Sequence, residues 1–217
     1  ILHGFDQKLT ALSVGAGEFT DGDGHASYQR PRQIRALTSG PDGQLWGFDS
    51  THGGLVTIDP ADGGALELAA PQASPLRSIA YDAPQQRVAL LSGDGLSLYA
   101  SLDQTTLLPV ALPLAQPIDE LLYVDGVLIA RRGRELSAVE TGLPLLTLDE
   151  DVSLLNWAPL PARYVGVASG DSAVVLFDAT GKVVRRISLQ PSTYEIQGLA
   201  FAGDTLYAAA DSLLRID

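Results

Sequence analysis

Three histidines and a few carboxylates are the residues of this chain that could carry acid–base chemistry. None of the three, His3, His25 and His52, has a second histidine at a metal-binding spacing. His52 follows Asp49 by three residues in a predicted turn, and a histidine beside a carboxylate can act as a general base. We prefer the plainer interpretation of His52, an exposed turn residue, and keep general-base catalysis as the alternative.

Asp21 and Asp23 alternate with glycines, which is how a calcium-binding loop begins. Where such a loop would supply a bidentate glutamate, the chain reads QRPR over residues 29–32, so we favour an ordinary turn over a calcium site. The chain has no cysteine and no Gly-x-Ser-x-Gly elbow, which excludes thiolate ligands, disulfides and the usual serine and cysteine nucleophiles. We therefore predict no catalytic residue, no metal and no cofactor, and lean against an enzyme.

The composition favours a globular protein whose partners are neither nucleic acids nor membranes. Hydrophobic residues make up 46% of the 217 residues and charged residues 18%. The net charge of −12 repels phosphate groups and anionic lipids. Apolar residues come in runs of about four to eight, which are too short for a transmembrane helix. We expect no nucleic-acid binding and no membrane insertion by this segment.

The chain begins at Ile1 and contains no methionine. We expect that an initiator, together with a signal peptide or anchor segment, was removed. A periplasmic or secreted location is the resulting prediction, and a trimmed cytoplasmic protein is the alternative.

A unit of four predicted strands spans residues 34–69 and recurs along the chain. Asp-Gly and Gly-Gly turns divide its apolar runs, and such turns suit tight hairpins. Copies begin 34 to 44 residues apart, and a period near 40 with four strands per copy is typical of a propeller. We predict one all-β domain over residues 1–217, a five-bladed β-propeller of four-stranded antiparallel blades. The blades are predicted at about 34–69, 76–111, 118–148, 152–189 and 196–217.

The fifth copy lacks a fourth strand because it ends at Asp217. The run at residues 7–14 looks like a single strand, and we predict that it pairs beside the third strand of the last copy. Such pairing joins the two ends of the chain and protects a sheet edge. Residues 15–33 are polar and rich in turns, so we expect them to form no sheet of their own.

Two turn motifs carry a resemblance to known proteins: GPDGQLW at residues 40–46 and LVTIDPADG at residues 55–63. They resemble turns of the bacterial β-propeller repeat superfamily, which includes the YVTN, NHL, lactonase-like and lyase-like propellers. The resemblance implies the fold. Lactonase-like and lyase-like propellers would further imply His, Glu, Asn or Asp ligands around a central metal. The residues that we predict to surround the channel mouth, given next, are instead a mixture of Arg, Asp, Ser and Gln.

The second residue of each innermost strand should lie near one mouth of the central channel. We call this side the channel-mouth face, and its predicted ring is Arg35, Arg77, Asp119, Ser153 and Gln197, with Glu120 beside them. Turns between second and third strands add His52, Arg131, Arg132 and Arg134. Arginine forks suit carboxylate and phosphate groups, so a small anionic ligand or an acidic loop of a protein partner would fit. The alternative, which we prefer, is that Arg35 and Arg77 pair with Asp119 and Glu120 within the channel and that residues 131–134 form a solvated turn.

The sixth residue of the innermost strand is aromatic in four copies: Tyr81, Tyr123, Trp157 and Phe201. A stacking platform for sugars would be one use of such residues. Their fixed place in the repeat instead favours packing between blades, and we interpret Trp46 in the same way.

We predict a non-enzymatic propeller of the bacterial cell envelope that binds a protein partner or presents a scaffold surface. The channel-mouth face and its loops would form that surface, because a propeller offers a rigid ring with variable loops. The alternative is a small-ligand-binding protein, or a lyase-like or lactonase-like enzyme, with a site at the channel mouth.

Overall fold

The computed structural model describes residues 9–12, 17–20, 26–29, 32–67, 76–93, 95–99, 117–169, 173–189, 195–210 and 212–216. Within these ranges the chain forms strands β1 to β21, numbered in chain order, and one 3-10 turn at Pro41–Gly43. All strand pairs described are antiparallel. No helix among these residues is long and apolar enough to cross a membrane.

Each blade is a small sheet whose strands follow one another along the chain. Blade one contains β4 (Ile34–Ser39), β5 (Leu45–Asp49), β6 (Gly54–Ile58) and β7 (Ala65–Glu67). Blade three contains β11 (Glu120–Val124), β12 (Val127–Arg132), β13 (Glu135–Ala138) and β14 (Pro144–Thr147). Blade four contains β15 (Val152–Trp157), β16 (Tyr164–Ala168), β17 (Ala173–Phe177) and β18 (Val183–Ser188).

The second blade contains β8 (Leu76–Asp82), β9 (Arg87–Ser92) and β10 (Gly95–Tyr99). The fourth strand expected for this blade, at residues 107–111, lies outside the described residues.

The two ends of the chain together form the fifth blade. It contains β19 (Gly198–Ala202), β20 (Thr205–Ala209), β21 (Leu213–Ile216) and, from the N-terminal region, β1 (Leu9–Leu12). The pairing of β1 with β21 runs from Leu9 opposite Ile216 to Leu12 opposite Leu213. The predicted closure of the last blade by an N-terminal strand is therefore confirmed.

The five blades form a closed ring. Each innermost strand contacts the next one around the ring, in the order β4, β8, β11, β15 and β19, and β19 contacts β4. A separate apolar cluster fills each of the five interfaces between neighbouring blades. In one of them, Ile34 and Val56 of blade one pack with Tyr207 and Leu213 of blade five. The prediction of a five-bladed β-propeller is confirmed.

A hairpin precedes the first blade, where we expected no separate sheet. Strand β2 (Gly17–Thr20) pairs with β3 (Ala26–Gln29) in a two-stranded sheet. The expectation was wrong because it gave weight to the Asp-Gly turn and overlooked the β-forming residues on both sides of it. Phe19, Thr20 and Tyr28 favour strands, and the turn residues between them suit a hairpin.

The backbones of blades five and one approach each other closely. Ala36 N donates a hydrogen bond of 3.1 Å to Gln197 O across this seam. A Cβ atom on Gly198 would lie only 2.6 Å from Leu37 N. Only glycine therefore allows β19 to approach β4 this closely.

We expect Gly198→Ala to lower the melting temperature, measured by circular dichroism, by about 2–12 °C. Overpacking of this kind typically costs about 1–3 kcal/mol, and 1 kcal/mol shifts the midpoint by about 2–4 °C in a domain of this size. Gly54→Ala is the matched control, because a Cβ there meets no atom within 4 Å. Equal melting temperatures for the two variants would contradict the close approach at this seam.

Candidate functional site

Two arginines on the channel-mouth face are exposed to solvent. Arg35 and Arg77 are both exposed, and neither makes a hydrogen bond or ion pair with a residue in the described ranges. The carboxylates that they were expected to neutralise have other partners, given below. The channel on this side is nearly filled, since the cavity that Arg77 lines there has a volume of only about 10 Å³. That volume is about enough for one water molecule.

Glu120 and Arg131 form a buried ion pair that joins blade three to blade four. Arg131 Nε donates to Glu120 Oε2 at 2.9 Å, and the same oxygen accepts a 2.6 Å hydrogen bond from Leu155 N. Arg131 Nη1 donates to Val152 O and to Gly133 O, both at 3.0 Å. The structure thus uses the donors of Arg131 within the protein, whereas the sequence suggested a turn arginine on the surface.

Burial raises the pKa of Glu120 to about 7, although the charge of Arg131 and the hydrogen bonds from Arg131 and Leu155 act in the opposite direction. Taking a carboxylate out of water favours its neutral form. The pair is therefore a pH-sensitive connection between two blades.

The other residues predicted for this face make local or inter-blade contacts. Gln197 lines the narrow channel and its carbonyl oxygen accepts the seam hydrogen bond described above. The remaining four contacts are Asp119 Oδ2 with Gly133 N at 2.7 Å, Ser153 Oγ with Val167 O at 3.3 Å, Arg132 Nη1 with Ser137 Oγ at 3.2 Å, and Arg134 Nε with Leu148 O at 2.6 Å.

Asp49 and His52 contact each other in blade one, at the end that lies on the channel-mouth face. His52 Nδ1 lies 2.7 Å from Asp49 Oδ2, and Arg32 Nη1 donates to that oxygen at 2.8 Å. Burial alone would raise the pKa of Asp49, but hydrogen bonds from His52, Thr51 and Arg32 bring it below its ordinary value. The His52 side chain is 55% exposed. The pairing suits a general base, yet His52 lines neither of the cavities described in this section.

The described residues contain no group of three or more histidines and carboxylates that could hold a metal ion. Asp21 and Asp23, the weak calcium candidates, lie outside the described residues.

A cavity of about 250 Å³ opens at the opposite end of the innermost strands, and we call it the strand-end cavity. It is formed where β4, β8, β11 and β15 end, and its walls include Ser39, Tyr81, Asp82, Tyr123, Asn156 and Trp157. It is therefore far larger than the space left in the channel on the other side.

Aromatic rings from neighbouring blades build its walls. Tyr81 is half-buried and packs against Trp46, with ring centroids 4.6 Å apart. Tyr123 is half-buried, and the Arg87 guanidinium lies 5.7 Å from its ring centroid. Burial raises the pKa of both tyrosines, and Asp82 adds to the effect on each, so both phenols are neutral at physiological pH.

Asn156 separates the strand-end cavity from the narrow channel, because it lines both. Its Nδ2 donates to Leu37 O at 3.0 Å and to Leu199 O at 2.5 Å. One side chain of blade four thereby holds blades one and five. The floor of the cavity is fixed by these hydrogen bonds.

Asp82 is a buried carboxylate in the cavity wall with one oxygen unused. The residue is 1% exposed, and its Oδ2 accepts hydrogen bonds from Arg87 Nη2 at 3.0 Å and Arg87 Nε at 3.2 Å. Its Oδ1 has no hydrogen-bond partner within the described part of the chain. A buried acceptor without a donor costs about 1–3 kcal/mol. Because Oδ1 is itself buried in the wall, a ligand in the cavity would reach it once the Asp82 side chain turns towards the opening.

The packing between blades that the sequence predicted for the wall residues is present, because Tyr81, Tyr123 and Trp157 each pack against a cluster shared by two blades. Packing between blades is confirmed for Phe201, which is 5% exposed, and for Trp46, which is 4% exposed. Tyr81, Tyr123 and Trp157 keep part of their surface and also line the cavity. The signal that could have found the site is the aspartate directly after Tyr81, because that pair places a carboxylate beside an aromatic ring at a strand end.

We expect Glu120→Gln to change how stability depends on pH. Because the pKa of Glu120 is raised in the folded protein, its contribution to stability is fully present below about pH 4.5 and is lost as pH rises towards 7. Glutamine does not titrate, so the stability of wild type minus that of the variant should fall by at most about 1.4 kcal/mol per pH unit in this window. Thermal melts from pH 4.5 to 7.5 measure it. A difference that stays constant would contradict the raised pKa.

Comparison with known proteins gives the fold and no family. No protein-family model matches the sequence, and no curated protein matches it. The chain is similar in structure to glutaminyl cyclase of Myxococcus xanthus, with a TM-score of 0.61 and 14% sequence identity. The match covers 86% of this chain and 90% of that one. The resemblance to propeller proteins expected from the turn motifs is thus confirmed at the level of the fold.

Proposed function

We propose that this propeller binds a small polar ligand in the strand-end cavity. The observation that carries the proposal is the combination of three aromatic side chains with a buried carboxylate, Asp82, that has an unused oxygen. Mostly apolar walls with a few placed polar groups are typical of small-molecule sites.

The size of the cavity limits the ligand. Its volume of about 250 Å³ lies just below the range of about 300–1,000 Å³ in which small-molecule sites fall. A ligand of the size of an amino acid or a single sugar ring would therefore be suitable.

The walls are rigid, which favours binding. Tyr81, Tyr123 and Trp157 lie within the last two residues of the innermost strands of three successive blades. Asn156 is fixed by hydrogen bonds to the other two blades. A preformed site loses little conformational entropy when the ligand enters.

Binding is better supported than catalysis. The Myxococcus xanthus neighbour is an enzyme, but a shared fold does not carry an activity with it. The arrangement closest to a general base is Asp49 with His52, and Asp49 pairs with Ile34 at the start of β4. It therefore lies at the other end of the innermost strands from the cavity.

A screen of small neutral, cationic and anionic compounds by ligand-observed NMR tests the proposal. We expect Ala83→Trp to abolish binding of the compounds that bind wild type, because Ala83 is an exposed residue of the cavity wall and an indole there would fill the opening. Ala83→Ser is the control and should bind as wild type does. A screen without binders, or binders that Ala83→Trp does not affect, would contradict the proposal.

The sequence favoured a protein-binding or scaffold role, and one observation supports it as the second candidate. Arg35 and Arg77 are exposed on the channel-mouth face of an acidic protein, without partners among the residues described. Unpaired guanidinium groups suit an acidic loop of a partner.

Affinity capture from native envelope extract tests this second candidate. We expect the wild-type chain to retain a defined protein that an Arg35→Glu, Arg77→Glu variant of equal thermal stability does not retain. Lys182→Glu, which adds negative charge at an exposed turn away from this face, should capture the protein as wild type does. Equal capture by all three proteins would argue against use of the channel-mouth face.

A further inference from the structure

We infer that the ligand of the strand-end cavity is a small organic cation whose ammonium or guanidinium group is bound by Asp82. This inference rests on the proposed function, since it names the chemical class of ligand for the same cavity. Three features of the cavity support it: the balance of charge around it, the aromatic walls and the unused oxygen of Asp82.

Carboxylates outnumber guanidinium groups around the cavity. Asp82 and Asp125 line it and pair with Arg87 and Arg163, respectively. Two further carboxylates act on its aromatic walls, since Asp42 contributes to the raised pKa of Tyr81, and Glu140 to that of Tyr123. Among these described side chains four carboxylates accompany two guanidinium groups, in a chain whose net charge is −12. The local field favours a cation over an anion.

The aromatic walls favour the same class of ligand. The face of an aromatic ring is electron-rich and attracts a cation within about 6 Å. The cavity wall already contains one such contact, because Arg87 lies 5.7 Å from the Tyr123 ring centroid. Tyr81 and Trp157 provide further aromatic surface.

Asp82 supplies the directional contact. Both hydrogen bonds that Arg87 donates to Asp82 reach Oδ2, and Oδ1 has no donor among the described residues. An ammonium or guanidinium group provides charged N–H donors, and hydrogen bonds to charged groups are stronger than those between neutral groups. A neutral hydroxyl could donate to the same oxygen but would gain nothing from the surrounding charge.

Cyclohexylamine and cyclohexanol test this inference, because they share one ring and differ in charge at neutral pH. Titration calorimetry with the 217-residue chain gives both affinities. We expect cyclohexylamine to bind about 10-fold more tightly than cyclohexanol, as a charge-assisted contact predicts. Equal affinities would overturn the inference, and this comparison needs no variant.

Asp82→Asn tests the assigned contact and keeps the shape of the side chain. This variant should bind cyclohexylamine about 10-fold more weakly than wild type does, and its affinity for cyclohexanol should stay within about 2-fold of the wild-type value. Arg87, which is one-third exposed, can turn to water when its partner is neutralised. Asp125→Asn removes the same charge from a side chain that is 75% exposed. Because solvent screens this charge, the variant should lose less than about 3-fold in affinity for cyclohexylamine. Unchanged binding of cyclohexylamine to Asp82→Asn would overturn the role of Asp82.

Failure of this inference is distinguishable from failure of the proposed function. If neutral compounds bind and Ala83→Trp abolishes their binding, while cyclohexylamine has no advantage, the cavity is a ligand site for another class of ligand. If no compound binds in a manner sensitive to Ala83→Trp, the proposed function itself fails.

Discussion

Antiparallel pairing of β1 with β21 completes the fifth blade with a strand from the N-terminal region, and the ring closes where β19 of that blade contacts β4. A four-stranded blade has two faces to bury, and each of the five apolar clusters is shared by two neighbouring blades. An open fifth blade would leave β21 as an unpaired edge. At the seam beside it, Gly198 lets β19 approach β4, and Asn156 fastens blades one, four and five from within the channel. The strand-end cavity exists because these contacts hold the ends of the innermost strands at fixed positions.

Among the described residues three carboxylates are buried, Asp49, Asp82 and Glu120, and the last two lie at opposite ends of the channel. Glu120 accepts hydrogen bonds at Oε2 from Arg131 and from Leu155 N, and these contacts join blade three to blade four. Asp82 accepts from Arg87 at Oδ2, and its buried Oδ1 has no donor within the described part of the chain. Buried polar groups in proteins are generally satisfied, so an exception in a cavity wall points to a missing partner. The end of the channel that holds Glu120 and Arg131 is nearly filled, and the end that holds Asp82 is open.

The period of the repeat was sufficient to predict the number of blades and the closing strand, because both follow from counting strands along the chain. The hairpin β2–β3 was missed, since a polar segment was judged by its turns. Arg131 was expected in a solvated turn because its partners, Glu120 and Val152, belong to other strands and its burial depends on their packing. The aromatic residues at the strand ends were correctly taken as a fixed feature of the repeat. Whether such a residue is fully covered, as Phe201 is, or lines a cavity, as Tyr81 does, depends on how neighbouring blades diverge at that end.

Chemical-shift mapping of an isotope-labelled chain during a titration with cyclohexylamine tests the central claim most directly, because it observes both faces of the ring at once. The account predicts that the largest changes fall on the residues around the strand-end cavity, at 81–84, 123–126 and 156–157. Changes concentrated at Arg35, Arg77 and the 131–134 turn would place the site on the channel-mouth face and contradict the account.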